Sequence, residues 1–221
     1  QAVLALLTGV IDERADVDQT FVTLEARGQV HRVDRDIMPT RWKCATVDPG
    51  EVDQLRRIDD VVRLGRVTAI TGSEIVLDRG TVPVTGDRLF IDCTAGGLAQ
   101  RPPTPLFSPK KITLQSVFMC QQVFSAAILA RVELLKMSDA RRNAMLEVVP
   151  HPEFAEDFAP TLTVSAENLL RLNQRAPVWC RTSRLNLMSH DGWREYITNS
   201  AKALTMAREA RKVLDRRPVT V

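Results

Sequence analysis

Arg88-Leu-Phe-Ile-Asp-Cys-Thr-Ala-Gly-Gly97 is the stretch on which the reading of the whole chain turns. Leu89, Phe90 and Ile91, with Cys93 beyond one aspartate, form a short apolar run stopped by small residues and a glycine pair. Such a run predicts a buried strand that ends where backbone approaches something closely. In an open α/β sheet, ligands sit in the loops beyond the carboxyl ends of the strands. On that reading Thr94, Ala95, Gly96 and Gly97 line a site. The plainer alternative is a core strand with a tight Gly-Gly turn; the ten residues alone favour it, and the neighbouring chain decides.

Upstream, Val61 to Ile70 predicts a long strand with a bulge at Gly65, and Thr71-Gly72-Ser73 predicts a turn. Glu74 to Leu77 predicts the return strand, Asp78-Arg79-Gly80 a second turn, and Thr81 to Val84 a third strand. Pro83 lacks an N–H for a ladder, which assigns that strand to an edge. The result is a three-stranded β-meander that hands over to Arg88–Gly97. Downstream, four prolines between residues 101 and 113 mark an ordered loop, and Ile112 to Phe118 alternates as a strand. From Cys120 to Met137 the apolar period becomes helical. Ser125, Ala126 and Ala127 near its start permit close packing.

The amino-terminal third predicts a helix over residues 1–11 and a second one from Asp16 or Asp18 to Ala26, stopped by Gly28. Strands are predicted over Gln29–Asp34 and Arg41–Val47. Asp48-Pro49 with Glu51 is a helix-start signature for Gly50–Ile58. The carboxyl-terminal third predicts helices over Asp139–Val148, from Ser165 or Ala166 to Gln174, and over Trp193–Leu214.

The 221 residues, 44% hydrophobic and 26% charged, suit one large globular domain or two small ones. A net charge of +3, without a block of basic residues, gives no call for a nucleic-acid partner. Cys44, Cys93, Cys120 and Cys180 form no C-x-x-C pair, and His31, His151 and His190 stand apart from them. Neither a metal site nor a disulfide framework is expected, and Cys93 and Cys120 are read as buried structural thiols in a reduced, cytoplasmic chain. The apolar opening Ala2–Leu7 is too short to span a bilayer, so no membrane partner is expected. Gln1 stands directly inside a helical pattern, which reads as a fragment of a longer protein.

The order of strand, glycine, strand, turn, strand with Leu77-Asp-Arg-Gly80, then Asp87-x-Leu89-x-Ile91-Asp-Cys-Thr-Ala-Gly96, resembles one segment of flavoproteins with two dinucleotide-binding domains. In that family, related to the pyridine-nucleotide-disulfide oxidoreductases, a β-meander leads to a strand with an Ala-Thr-Gly-type ending that returns to the FAD domain. Pro39-Thr-Arg-Trp-Lys-Cys-Ala-Thr46 and Ile112–Gln122 are similar to phrases of a bacterial group of FAD/NAD(P)-binding oxidoreductases. The likeness covers roughly residues 17–136. The family's Gly-rich ADP-binding turn is absent, so the chain corresponds to the carboxyl-terminal portion.

The resemblance implies an α/β fold, a β-meander returning to a Rossmann-like FAD-domain sheet, followed by a helical carboxyl-terminal region. Residues 1–60 would be the remainder of an NAD(P)-side or inserted α+β region. Residues 61–150 would hold the meander and the return, and residues 151–221 the helical end. FAD and NAD(P)H are the implied cofactors, and a small molecule or O₂ the acceptor of hydride. Thr94, Ala95, Gly96 and Gly97 would run beside the flavin's ribityl-diphosphate stem. Gln115, Gln121 and Gln122, at the start of the helix near Gln121, would offer it hydrogen bonds. No catalytic residue, substrate or oligomeric state is assigned. The rival readings are a non-catalytic module that docks protein or nucleic acid through its basic final helix, and a degenerate flavoprotein.

Overall fold

The computed structural model describes residues 2–13, 16–43, 45, 47–94, 101–149, 151–186 and 192–216. The chain divides into two compact units. The first comprises Gln1–Asp48 with Gln100–Val221, and the second Pro49–Ala99.

The first unit is built around one long helix. Its helices are α1 (Ala2–Asp12) and α2 (Val17–Ala26) from the amino-terminal end, and α4 (Gln122–Glu133), α5 (Asp139–Met145), α6 (Phe158–Arg175), α7 (Pro177–Thr182) and α8 (Trp193–Asp215) from the remainder. Asp16 caps α2 by accepting from the Gln19 N–H at 2.9 Å. Gly28 follows α2 at φ +67°, the left-handed turn that glycine makes without steric cost. Helix α6 buries eleven of its residues, including Phe158, Leu162, Ala166, Leu169 and Leu172, and it serves two cores. One core sets Phe158, Leu162 and Ala166 against Leu7, Val10, Leu24, Ala207 and Ala210. The other sets Leu169 and Leu172 against Phe118, Phe124, Ile128, Val132 and Cys180.

Helix α6 begins seven residues before the expected Ser165, with Pro160 in its first turn. There the proline's missing N–H would have no intrahelical partner in any case. Helix α7 is an addition; it opens on Pro177, which the sequence reading took as irregular chain.

Two expected strands of this unit are not formed among the described residues. Gln29–Asp34 is irregular and half exposed, and among the described residues of Arg41–Val47 the pairing is a single antiparallel bridge between Arg41 and Phe154. There Arg41 pairs with Glu153 at 2.6 Å and lies over the Phe154 ring. Trp42 meets the Phe158 ring edge-on at 4.9 Å, so the segment is held by side chains instead of a ladder. The expected strand Ile112–Phe118 reduces to the hairpin of β4 (Phe107–Ser108) and β5 (Lys111–Ile112).

The second unit holds α3 (Pro49–Leu55) and the antiparallel meander of β1 (Val67–Ile70), β2 (Glu74–Leu77) and β3 (Gly80–Pro83). The strand order β1-β2-β3 leaves β3, with its proline, on an edge as expected. Gly65 has φ +92°, and a Cβ there would lie 2.8 Å from the Cβ of Asp78. The same Asp78 accepts from the Arg66 N–H at 2.8 Å. Gly65→Ala therefore carries both backbone strain and a clash, and it should destabilise this unit by about 1–3 kcal/mol. Faster hydrogen exchange confined to β1 and β2 in the variant is the expected readout.

The long strand expected from Val61 is ordered as strand only from Val67. The larger correction concerns Arg88–Thr94. It is neither a strand nor buried: Leu89 is 85% exposed and Ile91 75%. Asp92 closes a local turn, accepting from both the N–H and the hydroxyl of Thr94, which diverts the backbone from an extended ladder. The mixed α/β content is present with small antiparallel sheets and a helical carboxyl-terminal part; among the described residues there is no Rossmann-like parallel sheet.

Candidate functional site

The residues expected at a site fall into three groups. Thr94 belongs to the second unit, Gln115, Gln121 and Gln122 to the first, and Ala95, Gly96 and Gly97 lie outside the described residues. Thr94 is exposed, and its two bonds to Asp92 hold that carboxyl below the usual carboxylate range, the hydroxyl contributing most. The neighbouring Cys93 is an exposed free thiol, not a buried structural one.

The three glutamines gather about the strap that leads into α4. Gln115 clamps the backbone of Thr104, accepting from its N–H at 3.0 Å and donating to its carbonyl at 2.7 Å. Gln122 donates to the Ser116 hydroxyl at 2.7 Å. Gln121 occupies the cap position of α4 without a side-chain capping bond. The amino-terminal end of α4 thus starts where expected, with the partial positive charge of uncapped N–H groups.

What holds the strap is a set of buried polar side chains, of which the sequence reading singled out Ser125, and for its small size rather than its hydroxyl. The Ser125 hydroxyl accepts from the N–H groups of Val117 and Phe118, at 3.1 and 3.3 Å. The Ser165 hydroxyl accepts from Met119 at 2.7 Å and donates back to the Thr161 carbonyl. Met119 adopts φ +44°, an unusual conformation for a side chain of its size, and the Ser165 bond fixes it. Asn168, 1% exposed, uses all of its near-lying capacity. Its amide donates to the Val117 and Glu147 carbonyls at 2.9 and 2.6 Å, and its oxygen accepts from the Glu147 N–H at 2.9 Å. Thr161, Ser165, Asn168 and Leu172 are spaced by three and four residues, so they form one stripe of α6. An asparagine and two hydroxyls on a stripe that also carries Leu172 was the signal available in the sequence. At the far end of α4, Arg142 donates to the Glu133 and Leu135 carbonyls, closing the other helix end.

Between α6 and α8 lies a small, partly open cavity of about 20 Å³ lined by Leu169, Asn173, Asn186, Tyr196 and Ser200. It has room for one water molecule. Burial pushes the Cys180 thiol up to about 12. Burial likewise raises the Tyr196 phenol, and the adjoining Cys180 adds to the shift; its hydroxyl donates to Asn173 at 2.8 Å.

A thiol with a raised pKa is not a nucleophile at neutral pH. Cys120 is disulfide-bonded, which corrects its reading as a free structural thiol and removes it from any dithiol with Cys93. Without reductant, a thiol reagent should therefore titrate Cys93 at once, and Cys180 only after denaturation. Immediate reaction of both would contradict the burial of Cys180. The alkaline limb has a defined sign. A thiol raised in the folded state favours folding fully below its unfolded pKa of roughly 8.5. That contribution is lost as pH rises toward about 12.

No group of three or more His, Cys, Asp and Glu side chains suited to a metal gathers among the described residues. None of their helices is long and apolar enough to cross a membrane. Of the basic residues on α8, Arg211 is engaged by Glu167, at 2.9 Å, and by Glu147.

The chain is 42% identical over 181 residues to an uncharacterized protein of Mycobacterium bovis and, to the same degree, to two of Mycobacterium tuberculosis. Each match covers 81% of this chain and 34% of the relative. The chain thus spans about a third of the length of these curated relatives. No protein-family model matches it, and no solved structure does.

Proposed function

We propose that the chain is part of a flavin-dependent oxidoreductase that passes hydride from NAD(P)H through FAD to a small-molecule substrate or O₂. The observation that carries the proposal is the β1-β2-β3 meander, formed at the expected place immediately before the Leu89–Thr94 run. The meander thus agrees with the first part of the segment that the sequence resembles, while the return strand of that segment is not formed over Arg88–Thr94. The start of α4 beside Gln121 and Gln122 supports it as well. A helix amino terminus of this length favours the negative charge that a reduced flavin ring carries.

In this reading the cofactor supplies the redox chemistry. The described part of the chain contributes hydrogen bonds and a positive helix end, and residues Thr94, Ala95, Gly96 and Gly97 would meet the cofactor's diphosphate stem. Gln122 shares its amide with Ser116 and Gln115 is committed to Thr104. Gln121 is therefore the glutamine with most freedom to meet a cofactor. A cytoplasmic location belongs to the same proposal. The free Cys93 and Cys180 agree with it, and the disulfide at Cys120 stands against it.

The test uses the longest natural form of the protein, purified with and without Gly96→Val. Flavin released on denaturation should approach one per chain in the native protein and fall steeply in the variant. Equal flavin content in both would remove residues 94–97 from the cofactor site.

A further inference from the structure

The second unit cannot account for its own surface. Among its described residues only Val52 and Leu77 are buried apolar side chains. Against these, Ile58 is 63% exposed, Val67 52%, Ile70 48%, Leu89 85% and Ile91 75%. All four residues of β1 are exposed, so neither face of that strand is covered. A three-stranded sheet acquires independent stability from packing a hydrophobic face. Soluble monomers leave apolar side chains exposed singly, not in a set spread over a helix exit, a strand and a following run.

We infer that this surface is the contact face for a further domain of the same polypeptide, carried in the part of the relatives' length that lies beyond the match. Two observations choose this occupant. The match covers 34% of each relative, so two thirds of those proteins is additional chain. A match of 181 residues within a chain of 221 necessarily includes the second unit, so the relatives carry this unit together with that additional chain. Leu89-Phe90-Ile91 lies outside any strand ladder and exposes its apolar side chains. It is thus suited to join the edge of a sheet supplied by the added domain. The inference does not depend on a flavin.

Hydrogen exchange followed by mass spectrometry tests it. The full-length Mycobacterium tuberculosis relative and the 221-residue chain are compared over the peptides that align with residues 58–70 and 88–92. In the relative these amides should exchange slower by about a hundredfold or more, the range of a covered element against an open one. Equally fast exchange in both proteins would overturn the inference, because the face would then be open in the complete protein. Slow exchange in the 221-residue chain that appears only at high concentration would overturn it in favour of a second copy. Slow exchange there at every concentration would overturn it by removing the exposed face. Flavin content is read separately, so a colourless relative with protected amides leaves the inference standing while the flavin reading fails.

Discussion

Replacing Asn168 by alanine should destabilise the first unit by roughly 3–5 kcal/mol, one of the two largest effects expected of any single substitution in this chain. The size follows from what is left behind. The side chain is buried and makes three hydrogen bonds, to the Val117 carbonyl and to both backbone groups of Glu147. Alanine leaves those groups inside without partners, and each buried orphan costs about 1–3 kcal/mol. It also leaves a void of amide size in a packed helix interface. Gln115→Ala is the natural comparison, since Gln115 also clamps a backbone segment through its amide. Its partner, Thr104, is exposed, so water takes over the freed groups and the cost should be about 1 kcal/mol. Urea midpoints of the two variants check the pair. Equal losses would mean that the strap is as wet at Asn168 as at Gln115.

The second large effect is expected for Phe124→Ala, about 3–5 kcal/mol. Phe124 is 2% exposed, meets Phe118 edge-on at 5.2 Å and lies parallel to Trp179 at 6.2 Å. It joins α4 to α7 and to the strap at once, so its removal opens a cavity that three elements border. Trp179 fluorescence should redshift in the folded variant as water reaches the indole. Phe124 and Asn168 share the Val117–Phe118 segment, one through a ring contact and the other through a carbonyl. The double variant should therefore depart from additivity by about 0.5–3 kcal/mol.

The legibility of this fold in its sequence divides along a physical line. Elements specified by their own residues were readable. Asp16 and Gly28 bound α2, and Asp48-Pro49 opens α3. The turns Thr71–Ser73 and Asp78–Gly80 place β2 and β3 almost to the residue, whereas β1 begins six residues later than expected. Elements that depend on a partner were not. Arg41–Val47 and Arg88–Cys93 have the composition of strands, yet a strand exists only if another backbone lies beside it, and composition carries no information on that. The Asp92–Thr94 turn is local and costs no partner, so it prevails.

The site divides in the same way. The start of α4 at Gln121 was legible from the change of period after Phe118. The supporting role of Ser125, Ser165 and Asn168 beneath it was masked, because small polar residues within an apolar helix read as close packing or as dilution of the core. Their role appears only once the strap crosses α6 and its N–H and carbonyl groups need partners.

The visible absorbance spectrum of the purified full-length protein, taken before and after addition of NADPH or NADH, tests the flavoprotein account most directly. The account predicts a yellow protein with the two-banded absorbance of an oxidised flavin, bleached by at least one of the two nucleotides. A colourless protein that takes up no FAD on reconstitution and does not oxidise either nucleotide would contradict it.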